Sequence, residues 1–357
     1  MRILHVINTL GSGGAEKMLV DIVREMKEQN VICEVAVLTR SQNFFGSELE
    51  KMDIPTYYNS GDSLYSLSNI NFLKNIIKAG NYDCIHTHLF PSQLFVPIAL
   101  TMINQNIPLI TTEHSTYNRR RKIKAFHILD FWMYKKYEKI IAITVETKDT
   151  LVKYLPSTKK KVRIIENGID ISKYKNAKPI ERKKIIEHIK ENEKIILMVA
   201  AMREQKDHET LIRASKLLPA NYHIVFVGDG ERMEEVKKYA ILHGRESIVF
   251  LGRRTDVPAI MKASDVFVLA SKWEGFGLVV VEAAATGLPT IASNVDGLNG
   301  VTVTVGGQVF EPYNEYDLAE KIIEAIECEV KKYNVAPFTI QTTVRAYLRV
   351  YQEILKD

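Results

Sequence analysis

Four charged side chains in the second half of the sequence have the types and spacing needed to bind a diphosphate and a diol. Glu274 opens the stretch Glu274-Gly275-Phe276-Gly277, and Glu282 follows eight residues after it. Two glycines at a helix N-terminus allow a phosphate to approach backbone N–H groups closely. A carboxylate such as that of Glu282 can accept hydrogen bonds from vicinal hydroxyls. Small and apolar neighbours surround Glu282, and a carboxylate rarely stays unpaired in such surroundings.

Arg203 and Lys206 are the two cations of this set, and they follow the apolar run IILMVAAM. The guanidinium fork of Arg203 and the point charge of Lys206 both suit a diphosphate. Two exposed cations in a surface loop are the alternative, which these two residues alone do not exclude.

A glycine loop, Gly11-Ser12-Gly13-Gly14, lies between an N-terminal apolar run and a helical pattern. Backbone N–H groups at such a turn can bind an anion, although a tight turn alone also accounts for the glycines. The loop is not a dinucleotide fingerprint, because Glu16 stands where GxGxxG requires its third glycine. An acid at that position also disfavours a tightly held pyrophosphate.

Histidines end several strand-like runs. His86 and His88 share one strand face, and His114 ends the run PLITTEH. Because no carboxylate or cysteine stands at ligand-like spacing, a metal site is disfavoured here, and a structural role is the commoner one for a lone strand-end histidine. The sequence also has no Asp-x-Asp pair to hold a divalent ion against a diphosphate. We therefore expect no metal and no other cofactor.

Alternating strand and helix patterns must position these residues. They occur in two successive α/β halves, with the boundary near Asn167–Lys175, and they predict two doubly wound parallel sheets. Such sheets bind ligands at the carboxyl ends of their strands, which favours a small-molecule enzyme with a cleft between two domains. We expect domains at 1–167 and 168–357, with a final helix at about 338–355 that packs back on the first domain.

The composition excludes a disordered, a collagenous and a disulfide-scaffold protein. The chain has 357 residues, 46% of them hydrophobic and 25% charged, which is typical of a globular protein with about two domains. Cys33, Cys84 and Cys328 form no CxxC pair, so reduced thiols in the cytoplasm are expected. No apolar run approaches the roughly 20 residues of a membrane-spanning helix. The sequence predicts a soluble protein that is not exported.

The net charge of +5 is unevenly distributed. Between Asn118 and Arg163 there are 14 basic and 4 acidic residues, beginning with the run Arg119–Lys124. A solvated helix face is the ordinary explanation of such a run. Docking on an anionic membrane is the second explanation. Nucleic-acid binding is the third, but no recognition motif accompanies the run.

Taken in order, the motifs GSGGAE, HTH, TEH, ENGID, Arg203 with Lys206, VGDG, FLG and EGFGLVVVE identify a family. Over nearly its whole length the sequence resembles the retaining GT-B glycosyltransferases of family four, which use nucleotide sugars. The resemblance implies a GT-B fold, in which two Rossmann-like domains face each other across a cleft.

The resemblance also implies roles for individual residues. Arg203 and Lys206 match the pair that neutralises the departing diphosphate, Glu282 matches the ribose-binding acid, and Glu274 and His114 match residues at the donor sugar. The residues assigned to catalysis are His114, Arg203, Lys206 and Glu274. Those assigned to donor binding are Gly13, Gly14, Arg203, Lys206, Arg253, Glu274, Gly275, Phe276, Gly277, Leu278 and Glu282.

The implied activity is metal-independent transfer of a hexose or N-acetylhexosamine, with UDP as the expected nucleotide. The acceptor would be a glycan or lipid-linked glycan in cell-surface polysaccharide synthesis. A nucleotide-sugar epimerase of the same fold and a non-catalytic nucleotide-sugar-binding protein are the alternatives. An NAD-dependent oxidoreductase is disfavoured by the incomplete glycine fingerprint.

Relatives that extend lipid-linked glycans at the inner face of the cytoplasmic membrane use basic and aromatic residues of the first domain. The resemblance therefore favours peripheral membrane docking through Arg119, Arg120, Arg121, Lys122, Lys124 and Trp132. One segment, 294–303, departs from the family pattern, since NGVTVTVGGQVFEP stands where a glutamate and a hydrophobic pair are usual. No site residue is assigned there.

Overall fold

The computed structural model describes residues 1–61, 63–328 and 333–356, without the side chain of Arg119. The chain forms two compact units. The first contains Met1–Ile169 together with Phe338–Asp357, and the second contains Asp170–Pro337. The C-terminal segment therefore belongs to the first unit, although it follows the second in sequence.

The first unit is built on a seven-stranded sheet in which every pair of neighbouring strands is parallel. Its first strand has the sequence RILHVI, and five of these six residues are buried, as expected where both faces of a sheet are covered. The strand order is β3-β2-β1-β4-β5-β6-β7. The strands are β1 (Arg2–Ile7), β2 (Ile32–Val37), β3 (Thr56–Tyr58), β4 (Cys84–His88), β5 (Leu109–Glu113), β6 (Lys139–Ala142) and β7 (Val162–Ile164).

The helices of this unit include the last helix of the chain, which packs on the first. Gln341 donates to Glu25 over 2.8 Å, and the Thr343 hydroxyl donates to the carbonyl of Glu166 over 2.9 Å. The helices are α1 (Gly14–Glu28), α2 (Gly46–Lys51), α3 (Ser68–Ala79), α4 (Ser92–Ile103), α5 (Lys124–Lys135), α6 (Val145–Tyr154) and α14 (Ile340–Ile354).

The second unit has a six-stranded sheet whose paired strands are also parallel, in the order β10-β9-β8-β11-β12-β13. The prediction of two parallel α/β sheets is confirmed. The strands are β8 (Lys194–Val199), β9 (Tyr222–Val227), β10 (Ile248–Phe250), β11 (Val266–Leu269), β12 (Thr290–Ser293) and β13 (Gln308–Phe310). The helices are α7 (Ile171–Lys175), α8 (His208–Ala214), α9 (Met233–His243), α10 (Val257–Ala263), α11 (Leu278–Thr286), α12 (Asn299–Val305) and α13 (Glu315–Glu327).

Each sheet reverses its strand order at one place where two loops leave in opposite directions. In the first unit this place lies between β1 and β4, and in the second it lies between β8 and β11. The crevice at such a switch point is where open α/β sheets bind their ligands. Short 3-10 turns occur at Arg119–Lys122 and Glu204–Lys206. None of the helices in the described segments has the length and apolar character to cross a bilayer.

Candidate functional site

The switch point of the second unit joins a lysine and a glutamate from the two loops that leave it. Lys206, after β8, donates from Nζ to Oε2 of Glu274, after β11. Both side chains are largely shielded, at 18% and 14% exposure. Gln205 fastens the loops further, because its side-chain amide donates to the Trp273 carbonyl and its carbonyl accepts from the Lys272 amide, each over 2.8 Å. The two loops therefore hold this ion pair in one position.

Glu274 also contacts its own loop. Its Oε1 accepts a hydrogen bond from the Gly275 amide over 3.2 Å, and its Oε2 lies 3.4 Å from the Ser271 hydroxyl. These contacts restrain the carboxylate at the start of the turn that leads into α11. The orientation of the Glu274 carboxylate is therefore set by the loops that follow β8 and β11.

The turn itself depends on Phe276 and Gly277. Phe276 is 2% exposed and anchors the loop in the unit. Gly277 caps α11 in the left-handed region, with φ +79°, where a side chain is disfavoured. A Cβ there would also collide with the side chain of Leu298. The N-terminus of α11 therefore follows directly on the loop that carries Glu274, with Leu278 half-buried in its first turn.

Glu282 lies in α11, four residues after the first residue of that helix, and is 7% exposed. Val280, Val281, Ala283 and Ala284 beside it are all buried. A carboxylate is costly in such surroundings unless polar groups bind it. The sequence-based expectation that Glu282 is not a surface residue is confirmed.

Arg203 and Arg253 add positive charge at the same edge of this sheet. Arg203 is exposed and precedes the 3-10 turn that carries Lys206. Arg253 follows β10 and is 51% exposed, with its guanidinium 3.9 Å from the carboxylate of Asp229, which follows β9. Both arginines lie at the carboxyl ends of parallel strands, where a ligand of this unit would bind.

The segment with the unusual sequence, 294–303, packs against the turn that contains Glu274 and Gly277. Gly297 has φ +78°, and a Cβ on it would collide with the carbonyl oxygen of Glu274. Leu298 lies against Gly277, and α12 begins directly afterwards. A side chain at Gly297 would therefore displace the loop that carries Glu274.

In the first unit, the glycine loop follows β1 at the other switch point. Gly13 is the N-cap of α1, and Gly14 is its first residue. Glu16 turns back over the loop, where its carboxylate accepts from the Thr9 hydroxyl over 3.2 Å. A Cβ on Gly13 would collide with the Glu16 side chain. An acidic group thus lies directly beside the backbone that an anion would approach.

Beside this loop, three histidines form a hydrogen-bonded row across neighbouring strands. Nδ1 of His5, on β1, lies 3.2 Å from Nε2 of His88, at the end of β4. Nδ1 of His88 lies 3.3 Å from Nε2 of His114, which directly follows β5. His5 and His88 are fully buried, and His114 is half-buried. The membership of His5 in this row could not be predicted from the sequence, because its only signal was its place in an otherwise apolar strand.

A fourth histidine, His86, stacks on His88 with ring centroids 4.2 Å apart. Its Nδ1 lies 2.6 Å from the Tyr351 hydroxyl, and its Nε2 lies 2.8 Å from the Thr112 hydroxyl. Thr112 in turn lies 3.1 Å from the Tyr347 hydroxyl. The C-terminal helix α14 therefore ties the histidine cluster to the core of the first unit.

Burial controls the protonation of this cluster. It lowers the pKa of His5 to about 3 and holds the pKa of His86 and of His88 well below its usual value. The neighbouring histidines lower the pKa of His86 and His88 further. Burial lowers the pKa of His114 to about 4, against the opposing effect of Glu113. All four rings are therefore neutral near pH 7.

His5, His86 and His88 have ring nitrogens within 4.8 Å of one another, which is close enough to consider a metal. However, both nitrogens of His86 already bind hydroxyls, and one nitrogen of His5 binds His88. A metal ion would have to break these hydrogen bonds. The donor set thus favours a hydrogen-bonded cluster over a metal site.

Comparison with known proteins assigns the family. Residues 12–173 match the family model "Glycosyltransferase Family 4", and residues 179–336 match "Glycosyl transferases group 1". A galactosyltransferase of Escherichia coli, UDP-Gal:alpha-D-GlcNAc-diphosphoundecaprenol alpha-1,3-galactosyltransferase, is 30% identical over 288 residues, which cover 77% of this chain and 73% of that protein.

This chain is a family-four glycosyltransferase.

Solved structures agree on the fold. A glycosyltransferase of Rickettsia africae superimposes with a TM-score of 0.82, 24% identity, and coverage of 100% of this chain and 99% of that one. The Anabaena protein HepE, solved in complex with UDP and glucose, gives a TM-score of 0.79 and 21% identity, with coverage of 100% and 98%. The predicted GT-B fold, the family and the enzyme class are confirmed.

The prediction of membrane docking in this glycosyltransferase has to be corrected for Arg120 and Arg121. Arg120 is 7% exposed and pairs with the buried Asp130 over 3.0 Å. Arg121 pairs with Glu113 over 2.7 Å, and each side chain is 7% exposed. Both guanidinium groups point into the first unit, so they are not available to a membrane surface.

The Arg121–Glu113 pair holds the end of β5 in the glycosyltransferase. Burial alone would raise the pKa of Glu113, but Arg121 and the hydroxyl of Tyr134 keep that pKa below its usual value. Gln93 donates a further hydrogen bond to Glu113 over 2.7 Å. Because His114 is the next residue, this network also fixes the backbone from which His114 extends.

Two lysines among the other residues predicted for docking remain exposed. Lys122 and Lys124 are exposed and Trp132 is half-buried, whereas the side chain of Arg119 lies outside the described part. Two residues that the sequence did not single out, Ile128 and Phe131, are 77% and 48% exposed on α5. Their spacing from Lys124 places all three on one face of the helix.

Proposed function

We propose that this glycosyltransferase is a retaining, metal-independent enzyme that transfers a hexose or N-acetylhexosamine from a UDP-sugar to a glycan or lipid-linked glycan. The observation that carries the proposal is the largely shielded Lys206–Glu274 pair at the switch point of the second unit. It combines a cation suited to a diphosphate with a carboxylate suited to sugar hydroxyls. Both stand beside a glycine-capped helix N-terminus, which also favours phosphate.

In this proposal, Arg203 and Lys206 neutralise the diphosphate as it departs, together with the backbone N–H groups that begin α11. Glu282 binds the ribose hydroxyls, and Glu274 and His114 bind the donor sugar. Arg253 contributes to the site of the base, and Gly13 and Gly14 bring backbone close to the diphosphate. The dominant catalytic contribution is electrostatic stabilisation of the leaving group, which in other enzymes is worth roughly 100- to 1,000-fold per donor.

The proposed step breaks the bond between the anomeric carbon and the phosphate oxygen while the acceptor oxygen bonds to the same carbon. The acceptor approaches from the face that the diphosphate leaves, so the anomeric configuration is retained. The acceptor proton passes to a phosphate oxygen of the leaving group. This route requires no protein base.

One relative and one structural neighbour support the choice of substrate class. The E. coli relative is named for UDP-galactose as donor and a diphosphoundecaprenol-linked sugar as acceptor. The Anabaena protein, which shares the fold, was solved in complex with UDP and glucose. Metal independence is supported by the lysine and arginine at the proposed leaving-group position, since they can supply the positive charge that a divalent ion supplies elsewhere.

A transfer assay tests this function directly. Radiolabelled UDP-sugars would be offered one at a time, with EDTA, to the purified protein and a lipid-linked acceptor sugar. We expect one sugar to be transferred with EDTA present, and NMR of the product to show the anomeric configuration of the donor. Transfer that requires an added divalent ion would contradict metal independence, and an inverted product would contradict the proposed step.

We further propose that the exposed face of α5 docks this enzyme on an anionic membrane. Lys122 and Lys124 supply charge, and Ile128 and Phe131 supply apolar surface on a helix of the first unit. A helix with this combination binds at the lipid interface through buried apolar area and electrostatic attraction. The corrected docking surface consists of Lys122, Lys124, Ile128, Phe131 and Trp132.

Co-sedimentation with vesicles containing phosphatidylglycerol tests this docking. Ile128→Glu should weaken binding by about tenfold or more, because it removes an apolar anchor and adds a repelled charge. The matched control is Ile241→Glu, since Ile241 is 82% exposed on α9 of the second unit. Equal loss of binding in both variants, or no binding of the wild type at low salt, would rule out the α5 surface.

A further inference from the structure

We propose that His5 and His88 are positioning residues that fix the tautomer of His114 through a chain of hydrogen-bonded neutral imidazoles. The chain fixes the proton of His114 on Nδ1, so that this nitrogen is a hydrogen-bond donor. The catalytic consequence rests on the proposed function, because it requires that His114 contact the donor sugar. The tautomer itself does not depend on that function.

The geometry defines a row with one hydrogen bond at each step. Nδ1 of His5 faces Nε2 of His88 at 3.2 Å, and Nδ1 of His88 faces Nε2 of His114 at 3.3 Å. A neutral imidazole has one N–H and one bare nitrogen, so each ring can donate once and accept once. The row therefore permits two arrangements, in which all the donors point towards His114 or all point towards His5.

The buried end of the row decides between the two arrangements. Nε2 of His5 is buried and has no hydrogen-bond partner among the described residues. If the donors pointed towards His5, this nitrogen would carry an unpaired N–H, and orphaned buried N–H groups are rarer than unsatisfied acceptors. We therefore place the proton of His5 on Nδ1, which donates to His88. His88 must then donate from Nδ1 to His114, and His114 must carry its own proton on Nδ1.

The direction of donation in the row depends on neutral rings, and burial keeps the rings neutral. The pKa of His5 is lowered to about 3 and that of His114 to about 4, while the pKa of His88 lies well below its usual value. A protonated His88 would donate from both nitrogens, to His5 and to His114, so the row would no longer have a single direction of donation. At neutral pH the three rings therefore share one direction of donation.

His86 holds the row in place without belonging to it. Its ring stacks on His88, and the hydroxyls of Tyr351 and Thr112 engage both of its nitrogens. His88 is consequently packed against a ring that cannot rotate without losing two hydrogen bonds. A rigid support of this kind is what a positioning group needs, since small displacements of a bound substrate reduce its reactivity.

Nitrogen-15 NMR of the histidine rings tests the tautomers in the full-length protein without ligand. Long-range proton–nitrogen correlations distinguish Nδ1–H from Nε2–H rings, and single substitutions assign the signals among the nine histidines. We expect His5, His88 and His114 to be neutral Nδ1–H rings near pH 7. A His114 ring protonated on Nε2 would overturn the proposal.

A matched pair of variants at His5 tests the coupling. His5→Asn places an amide N–H close to the position of Nδ1, whereas His5→Leu removes the donor and leaves an apolar side chain. In His5→Leu we expect mixed tautomers at His88 and His114 and a fall in kcat/KM of about 3- to 10-fold, which corresponds to one ordinary hydrogen bond. His5→Asn should retain both tautomers and most of the activity.

The outcomes test the hydrogen-bonded row of histidines and the enzymatic role of His114 separately. An unchanged His114 tautomer in His5→Leu would overturn the coupling, and if that variant does not fold, the wild-type spectrum still decides the direction. Added zinc should leave the ring signals unchanged, because displacement of those signals would identify a metal site instead. If the tautomers are as expected but His114→Ala transfers sugar at the wild-type rate, the hydrogen-bonded row is supported and the proposed role of His114 in transfer is ruled out.

Discussion

The two sheets of this glycosyltransferase each reverse their strand order once, but the side chains at the two switch points differ in electrostatic character. Between β8 and β11 the loops bring together Lys206 and Glu274, both charged and held by an ion pair. Between β1 and β4 the neighbouring side chains are His5 and His88, which burial keeps neutral. One fold therefore provides a charged site and a neutral, hydrogen-bonding site at equivalent positions.

This difference agrees with two separate tasks. A departing diphosphate gains negative charge, and fixed cations stabilise it. Sugar hydroxyls carry no charge, and a neutral histidine can bind them as a donor or acceptor according to its tautomer. If charge and neutrality are divided between the units in this way, acid and single substitutions should affect the two units differently.

The largest expected effect is on the stability of the first unit in acid. Below about pH 6.5 the unfolded chain binds protons that the buried His5, His86 and His88 do not bind, so the stability of the unit falls as the pH falls. Each such histidine contributes up to about 1.4 kcal/mol per pH unit down to its folded pKa, which for His5 is about 3. Three together amount to about 4 kcal/mol per pH unit.

The two tryptophans report on the units separately. Trp132 lies in the first unit and Trp273 in the second, where His208 is the one fully buried histidine with a strongly lowered pKa among the described residues. We expect fluorescence of the Trp273→Phe variant to show unfolding at a higher pH than fluorescence of the Trp132→Phe variant. Coincident acid transitions would break the comparison, because both units would then respond to acid in the same way.

The second effect concerns the cations of the second unit. Arg203→Ala and Lys206→Ala should each lower kcat by about 100-fold or more, because each removes stabilisation of the leaving group. Steady-state transfer kinetics measure this, with Lys216→Ala as a control at an exposed lysine elsewhere in the same unit. Activity within a few-fold of wild type in both site variants would refute the assigned role.

The third effect concerns Glu282 and tests whether its carboxylate binds the ribose of the donor. Glu282→Gln should raise KM for the donor by about 10- to 30-fold with little change in kcat, because a hydrogen bond to a charged group is lost in ground and transition states alike. A donor with a 2′-deoxyribose tests the contact, since the wild type should discriminate against it and Glu282→Gln should not. If both enzymes discriminate equally, Glu282 does not bind the ribose.

Much of this organisation follows from the sequence, because the signals are local. Apolar runs alternate with helical patterns, and the two parallel sheets formed where that alternation indicated. The residues after β8 and β11 could be singled out because charged and glycine residues interrupt apolar runs there. Glu282 could be placed inside because its neighbours along the chain are apolar, and it is 7% exposed.

The failures have a common physical cause, since they depend on partners distant in sequence. The basic run from 119 to 124 indicated a charged surface, but Arg120 and Arg121 turn inwards to Asp130 and Glu113. The ion pair of a buried arginine cannot be deduced from a run of like charges. The row from His5 to His114 likewise joins three strands, so its members are separated by up to 109 residues, between positions 5 and 114.

The most direct test of the central claim, a nucleotide-sugar site at the charged switch point, is thermal unfolding with ligands. Trp273 fluorescence in the Trp132→Phe variant would be followed with UDP, GDP, ADP and their sugars, in EDTA. A ligand at 100 times its dissociation constant should stabilise the second unit by about 2.7 kcal/mol, which raises its melting temperature by several degrees. We predict a rise with UDP and one UDP-sugar that is strongly reduced by Lys206→Ala. No rise with any nucleotide, or an equal rise in Lys206→Ala, would contradict the account.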